Sequence, residues 1–145
     1  MEKAIIIDLD GTLSNAEKRV HLVKGKEKRF NEFHSQAIHD EPNPWCVEII
    51  NKFKLDHAII ILTGRSDDFY EDTEKWLTEN NIHFDLLLMR AKSDSRKDAI
   101  IKKELYEKKI KPDFEITFAV DDRNQVVDMW REEGIICLQC DYGDF

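Results

Sequence analysis

Five short apolar runs set the strongest limit on what this chain can fold into. They are Ala4–Asp8, Ala58–Leu62, Phe84–Met89, Ile116–Val120 and Ile135–Cys140. Each is nearly unbroken and rich in Ile, Val and Leu, which is how strands covered on both faces look. Amphipathic segments separate them. Pro44–Leu55 opens on a proline, acceptable in a first helical turn. Asp68–Asn80 starts on acids and stops at an Asn-Asn pair. Ser93–Lys109 has a helical period with Pro112 beyond it, and Asn124–Glu133 ends at Gly134, a helix C′ glycine. This alternation predicts an α/β fold, a five-stranded parallel sheet with helices on both faces. Residues 13–43 break the rhythm. They exceed a normal βα connection and are expected to form a small cap, with a helix near Arg29–Ala37.

In such sheets ligands bind beyond the carboxyl ends of the strands, so the residues just after each run matter most. After the first run comes Asp8-Leu9-Asp10-Gly11-Thr12. Asp8 and Asp10 project to the same side of an extended chain, and Gly11 lets the backbone turn beside them. Two carboxylates about 4 Å apart repel by about 4 kcal/mol at an effective dielectric near 20. A cation or a shared proton relieves that. After the second run, Thr63-Gly64-Arg65 offers a hydroxyl, backbone N–H groups and a guanidinium to a phosphate oxygen. After the third, Lys97 is a candidate to neutralise anionic groups, with Asp94 to orient it. After the fourth, Asp121 and Asp122 offer clustered oxygen ligands that suit magnesium.

At 145 residues the chain is long enough for one domain with one core. It is 41% hydrophobic and 36% charged, the balance of a soluble globular protein. The net charge of −8 argues against a protein that coats long nucleic acid. Yet residues 18–29 carry six Lys/Arg against one acid, and residues 90–111 carry nine against four. That segregation suits a small basic rim around an anionic substrate, although solvated helix faces account for most of these lysines. Cys46, Cys137 and Cys140 read as buried thiols. Nothing completes a zinc site with the C-x-x-C, whose members point to opposite faces of a strand. No apolar run approaches the roughly 20 residues of a membrane span, and no leader pattern opens the sequence. A cytoplasmic location is expected.

The ordered strand-end residues resemble the haloacid dehalogenase superfamily: the Asp8-to-Thr12 motif, then Thr63, then a lysine like Lys97, then the pair Asp121-Asp122. More closely, the stretch from Ala119 to Phe145 and the DSRKD around Lys97 look like the 3′-phosphatase domains of T-even phage polynucleotide kinase-phosphatases. The resemblance runs from about Ile5 to Phe145 and is weakest over residues 20–43. Arg19 stands where that family has an arginine shortly after the first motif.

The resemblance implies a Rossmann-like haloacid dehalogenase fold, a single phosphatase domain over residues 1–145 with a small cap insertion at about 14–43, and Mg2+ as cofactor. Asp8 would be the nucleophile, forming an aspartyl-phosphate, and Asp10 the acid/base. Thr63 and Lys97 would hold phosphoryl oxygens. Asp8, the backbone carbonyl of Asp10 and one of Asp121 and Asp122 would hold the metal. Gly11, Thr12, Arg19, Gly64, Arg65, Asp94 and Arg123 are expected around the phosphate. The expected substrate is a 3′-phosphorylated nucleic-acid end, with free (deoxy)nucleoside monophosphates as the alternative. The basic run Lys24, Lys26, Lys28 and Arg29 would meet flanking phosphates, while Arg19, closer to the chemistry, would matter for either substrate. The second aspartate argues against dehalogenation, which has no leaving oxygen to protonate. No G-x-x-x-x-G-K-[ST] occurs in these residues, so they supply no P-loop kinase activity.

Overall fold

The computed structural model describes residues 1–23 and 29–145. Strand β1 (Glu2–Ile7) leads through a turn into an irregular segment that contains the short helix α1 (Phe30–Ser35). Helix α2 (Pro44–Phe53), strand β2 (Ala58–Ser66), helix α3 (Tyr70–Glu79), strand β3 (Leu86–Arg90), helix α4 (Asp98–Leu105), strand β4 (Phe114–Arg123), helix α5 (Asn124–Glu132) and strand β5 (Cys137–Gly143) follow in order. The strands form one parallel sheet in the order β3-β2-β1-β4-β5.

The core follows from the two-residue period of a strand. Ala4 and Ile6 of β1 with Ala58, Ile60 and Leu62 of β2 face one layer, packed against Val126, Val127, Met129 and Trp130 of α5. Ile5 and Ile7 with Ile59 and Ile61 face the other layer, against Cys46 and Ile50 of α2 and Trp76 and Leu77 of α3. Both faces are therefore apolar, and the central strands must read as unbroken runs. The chain crosses from β1 to β2 and β3 on one side, then returns to β4 and β5 on the other. The reversal falls between β1 and β4, where the Asp8 N–H donates to the Val120 carbonyl at 3.0 Å. That junction is the ligand crevice of an open α/β sheet.

Residues between β1 and α2 form a small cluster of their own from Ala16, Leu22, Val23 and Phe33, with Phe145 packed against it. Trp76 Nε1 donates to the Asp40 carbonyl at 3.0 Å, and Asn43 Nδ2 to the Thr12 carbonyl at 2.8 Å, tying this segment to the sheet layers. The expected helix near Arg29–Ala37 is α1. Lys24, Lys26 and Lys28 lie outside the described residues.

One expectation is corrected by the fold. The helix expected from Ser93 begins at Asp98. Arg90 explains the delay: its guanidinium donates to the carbonyls of Gly64 (2.8 Å), Asp94 (2.9 Å) and Arg96 (2.5 Å). The Asp94 and Arg96 carbonyls are thereby drawn to a side chain, and residues 91–97 stay a loop.

Candidate active site

Asp8 leaves the buried end of β1 with its carboxylate enclosed. Thr12 Oγ1 donates to Asp8 Oδ2 at 2.9 Å, and Lys102 Nζ donates to Asp8 Oδ1 at 2.9 Å. Lys102 Nζ also donates to Asp121 Oδ2 at 2.8 Å and lies 3.5 Å from Asp98 Oδ2. Burial opposes the charge on Lys102, but Asp121, Asp8 and Asp98 outweigh it and hold the pKa well above its ordinary value. Two glycines let the acids close in. Gly11 has a φ of +83°, and a Cβ there would stand 2.3 Å from Asp122 Oδ2. A Cβ on Gly64 would stand 2.0 Å from Asp98 Oδ1.

Asp8, Asp121 and Asp122 are all buried, and each offers a carboxylate oxygen within 4.8 Å of the other two. Three hard oxygen donors at this spacing fit a divalent cation of the magnesium or calcium kind. Burial, reinforced by the charge on Asp8, pushes the Asp121 carboxyl up, with Lys102 pulling it down. The same causes, with Asp121 added, push Asp122 up. Such a cluster gains from a cation.

Asp10 is held by a different set of partners. Its Oδ1 is shared by Arg19 Nη2, in a short contact, and Arg65 Nη2 at 2.5 Å. Burial would raise the Asp10 pKa, but Arg65 and Arg19 outweigh it and hold the carboxyl well below the usual range. Both arginines are themselves fixed. Arg19 pairs with Asp40, donates to the Phe33 carbonyl at 2.9 Å and stacks over the Phe33 ring at 4.1 Å. Arg65 Nη1 donates to Thr73 Oγ1 at 2.8 Å. Thr63 is buried in the second half of β2, where its Oγ1 accepts the Arg65 N–H at 3.0 Å.

The fold thus brings together Asp8, Asp121 and Asp122 in one group, and Asp10, Arg19 and Arg65 beside it. It does not bring in Lys97. That residue is exposed, immediately before α4, and makes no ion pair among the described residues. Asp94 pairs with Arg96, which also pairs with Glu104, on the surface. Lys102 and Asp98 hold the positions assigned in the sequence to Lys97 and Asp94. The available signal was Asp98-x-x-x-Lys102, a four-residue spacing that places both on one helix face. Arg123 is engaged with the chain's last residue: its Nε donates to the Phe145 carbonyl at 2.6 Å, and its guanidinium covers the Phe145 ring at 4.8 Å.

Residues 2–145 match the sequence model of the polynucleotide kinase PNKP phosphatase domain. The chain belongs to that family. A PNKP-type phosphatase domain is what the resemblance of Ala119–Phe145 and of the DSRKD around Lys97 had implied. A protein of Autographa californica nuclear polyhedrosis virus, named as a bifunctional polynucleotide kinase/RNA ligase, is 27% identical over 139 residues, 90% of this chain and 18% of the viral protein. A chain in the structure of the Pnkp1/Rnl/Hen1 RNA repair complex is 42% identical, with a TM-score of 0.89, over 100% of this chain and 44% of that one. A class C acid phosphatase from Bacillus anthracis is 15% identical with a TM-score of 0.71, covering 99% of this chain and 68% of its own, a likeness of fold. A haloacid dehalogenase-like hydrolase from Streptococcus pneumoniae likewise shares the fold at 16% identity and a TM-score of 0.66, covering 98% of this chain and 86% of its own. The PNKP-type domain therefore spans under a fifth of the viral relative and under half of the repair-complex chain.

Proposed function

We propose that this PNKP-type phosphatase is a magnesium-dependent polynucleotide 3′-phosphatase that acts on nucleic-acid ends, RNA ends foremost, through an aspartyl-phosphate on Asp8. The observation that carries the chemistry is the convergence of Asp8, Asp121 and Asp122 beside the buried Lys102. The substrate class is supported by the 42% identity, over the whole chain, to a chain of an RNA repair complex. Asp8, Asp121, Asp122 and the Asp10 carbonyl would hold magnesium, which when bound would screen the repulsion between an anionic carboxylate and an anionic phosphate.

Asp8 attacks phosphorus, and the bond from phosphorus to the 3′-oxygen breaks. That oxygen takes a proton from Asp10. Asp10 then accepts a proton from water as the water attacks phosphorus, breaking the bond to Asp8 and releasing phosphate. Arg19 and Arg65 keep free Asp10 anionic; an incoming phosphate dianion competes for those guanidiniums and raises its proton affinity, so that Asp10 takes up a proton from solvent before the first step. Lys102 and Thr63 hold the transferring oxygens. The segment at about 14–43 serves as the cap that brings Arg19 to Asp10. The domain works alongside end-kinase and ligase activities, in the same chain or in a partner.

The test is a side-by-side assay of 3′-phosphorylated RNA and DNA oligonucleotides, a 5′-phosphorylated one and mononucleotides, with magnesium and with EDTA. The 3′-phosphorylated ends are expected to turn over fastest, and only with magnesium. Asp8→Asn is expected to retain less than a few percent, since an amide is a poor nucleophile. A preference for mononucleotides would favour the nucleotidase reading, and an active, folded Asp8→Asn would remove the covalent mechanism.

A further inference from the structure

A cavity of about 410 Å³ opens beside the carboxylate cluster. Asp10, Gly11 and Asp122 are part of its lining, so whatever fills it adjoins the phosphoryl group being transferred. Its walls carry two aromatic side chains with free surface. Trp45, at the start of α2, is 40% exposed, and Tyr142, near the end of β5, is 95% exposed. Phe33 and Phe145 also line it, but their rings are covered by the guanidiniums of Arg19 and Arg123. The charge is one-sided. Glu17 and Asp141 join Asp10 and Asp122, and among the described residues no lysine or arginine lines the cavity.

These features narrow the occupant. Arg19 and Arg65 already neutralise Asp10, but the wall carboxylates Glu17 and Asp141 repel a phosphodiester. A purely apolar group would take water from Glu17 and Asp141 without replacing its hydrogen bonds. A neutral, flat group with hydrogen-bond donors suits both surfaces: its face stacks on an aromatic ring and its edge meets carboxylates. A nucleobase on its ribose is such a group, and the volume falls in the usual range for small-molecule sites, roughly 300–1,000 Å³.

We propose that this cavity receives the terminal nucleoside of the substrate strand, with Trp45 and Tyr142 as stacking surfaces for its base. The proposal rests on the 3′-phosphatase reading above and adds how the last residue of the strand is recognised. Stacking tolerates all four bases, because each has a π-face. The next phosphate of the strand lies outside the acidic cavity.

The test measures kcat/KM for the wild type, Trp45→Ala, Tyr142→Ala, Trp45→Leu and Trp45→Phe. The substrates are a 3′-phosphorylated RNA oligonucleotide, the same strand ending in an abasic 3′-phosphate, and glycerol 2-phosphate. The wild type is expected to favour the end that carries a base. Each alanine variant is expected to lose about tenfold on that end, mainly through KM, as loss of one stacked base does, and to lose less on the abasic end. Trp45→Leu keeps apolar bulk without a ring and should match Trp45→Ala; Trp45→Phe should recover most of the loss. Thermal melting of each variant separates this from misfolding. Equal treatment of the two ends by the wild type, or equal losses on both ends in well-folded variants, overturns the nucleoside subsite and leaves the 3′-phosphatase reading standing. A wild type that hydrolyses glycerol 2-phosphate as efficiently as the oligonucleotide overturns the 3′-end reading, and the subsite with it.

Discussion

Lys97 and Lys102 show how surroundings give one side chain two roles. Lys97 is exposed and ends in water. Lys102 is 1% exposed and donates to Asp8 and Asp121. Three nearby acids make its charge essential to the stability of the buried cluster, because a buried carboxylate group without its cation loses the pairing that offset desolvation. Lys102→Met is therefore expected to lower kcat on a simple phosphomonoester by about 100-fold or more, the scale for removing a donor to a transition-state oxygen. It should also melt earlier, since breaking a buried pair costs about 3–5 kcal/mol. Lys97→Ala should stay within about twofold in rate and within about 0.5 kcal/mol in stability, as surface substitutions do. Steady-state kinetics and denaturant melts check both, and a large loss in folded Lys97→Ala would reverse the assignment.

At the scale of elements, α1 places His34 among charged groups from several segments. It is half-buried, with Phe33 on its own helix at 5.4 Å between ring centroids and Phe69 edge-on at 5.9 Å. Burial lowers its pKa; Asp10 pulls it up, and Arg65, Arg19 and Arg90 push it down, leaving it at about 4. Below about pH 6.5 the unfolded chain binds a proton on this histidine that the folded chain refuses. Stability should thus fall as pH drops from about 6.5 to about 4, then level off for this group. His34→Gln is expected to flatten that part of the profile. Denaturant unfolding at stepped pH measures the slope, and the imidazole's NMR titration measures the midpoint; an ordinary midpoint near 6.5 would contradict the burial assigned to α1.

For the whole molecule, the sheet's reversal between β1 and β4 concentrates acid at one point. Asp8 arrives from one strand, Asp121 and Asp122 from the other, and the cost of that crowding is spread over the entire fold. A ligand that binds the folded cluster and not the unfolded chain stabilises by mass action, about 2.7 kcal/mol at 100 times its Kd. Magnesium is expected to raise the melting temperature by several degrees, given roughly 2–4 °C per kcal/mol at this size. Asp121→Asn and Asp122→Asn should shrink the shift unequally. Calcium should stabilise but replace magnesium badly in turnover, because it prefers more ligands and looser geometry. Calorimetry with each metal and with EDTA checks this, and an unchanged melting temperature in magnesium would remove the cation from the cluster. No helix among the described residues is long and apolar enough to cross a membrane.

The sequence by itself determined the layers and the strand ends. Runs such as Ile5–Ile7 and Ile59–Ile61 read as strands buried on both faces, and residues that directly follow such a run have little freedom to be elsewhere. Asp8, Asp10, Thr63, Asp121 and Asp122 could therefore be named as candidates from local pattern, and the fold brings Asp8, Asp121 and Asp122 together. Tertiary structure alone decided which lysine faces Asp8. The start of α4 depends on Arg90 capturing carbonyls of the loop before it, a contact that includes Gly64 from another strand. Moving that start to Asp98 turns Asp98 and Lys102 inward and leaves Lys97 in solvent. The same holds for Arg65, whose reach to Asp10 spans two elements and is held by Thr73 from a third. Local chemistry names the groups able to act; long-range packing selects which of them meet.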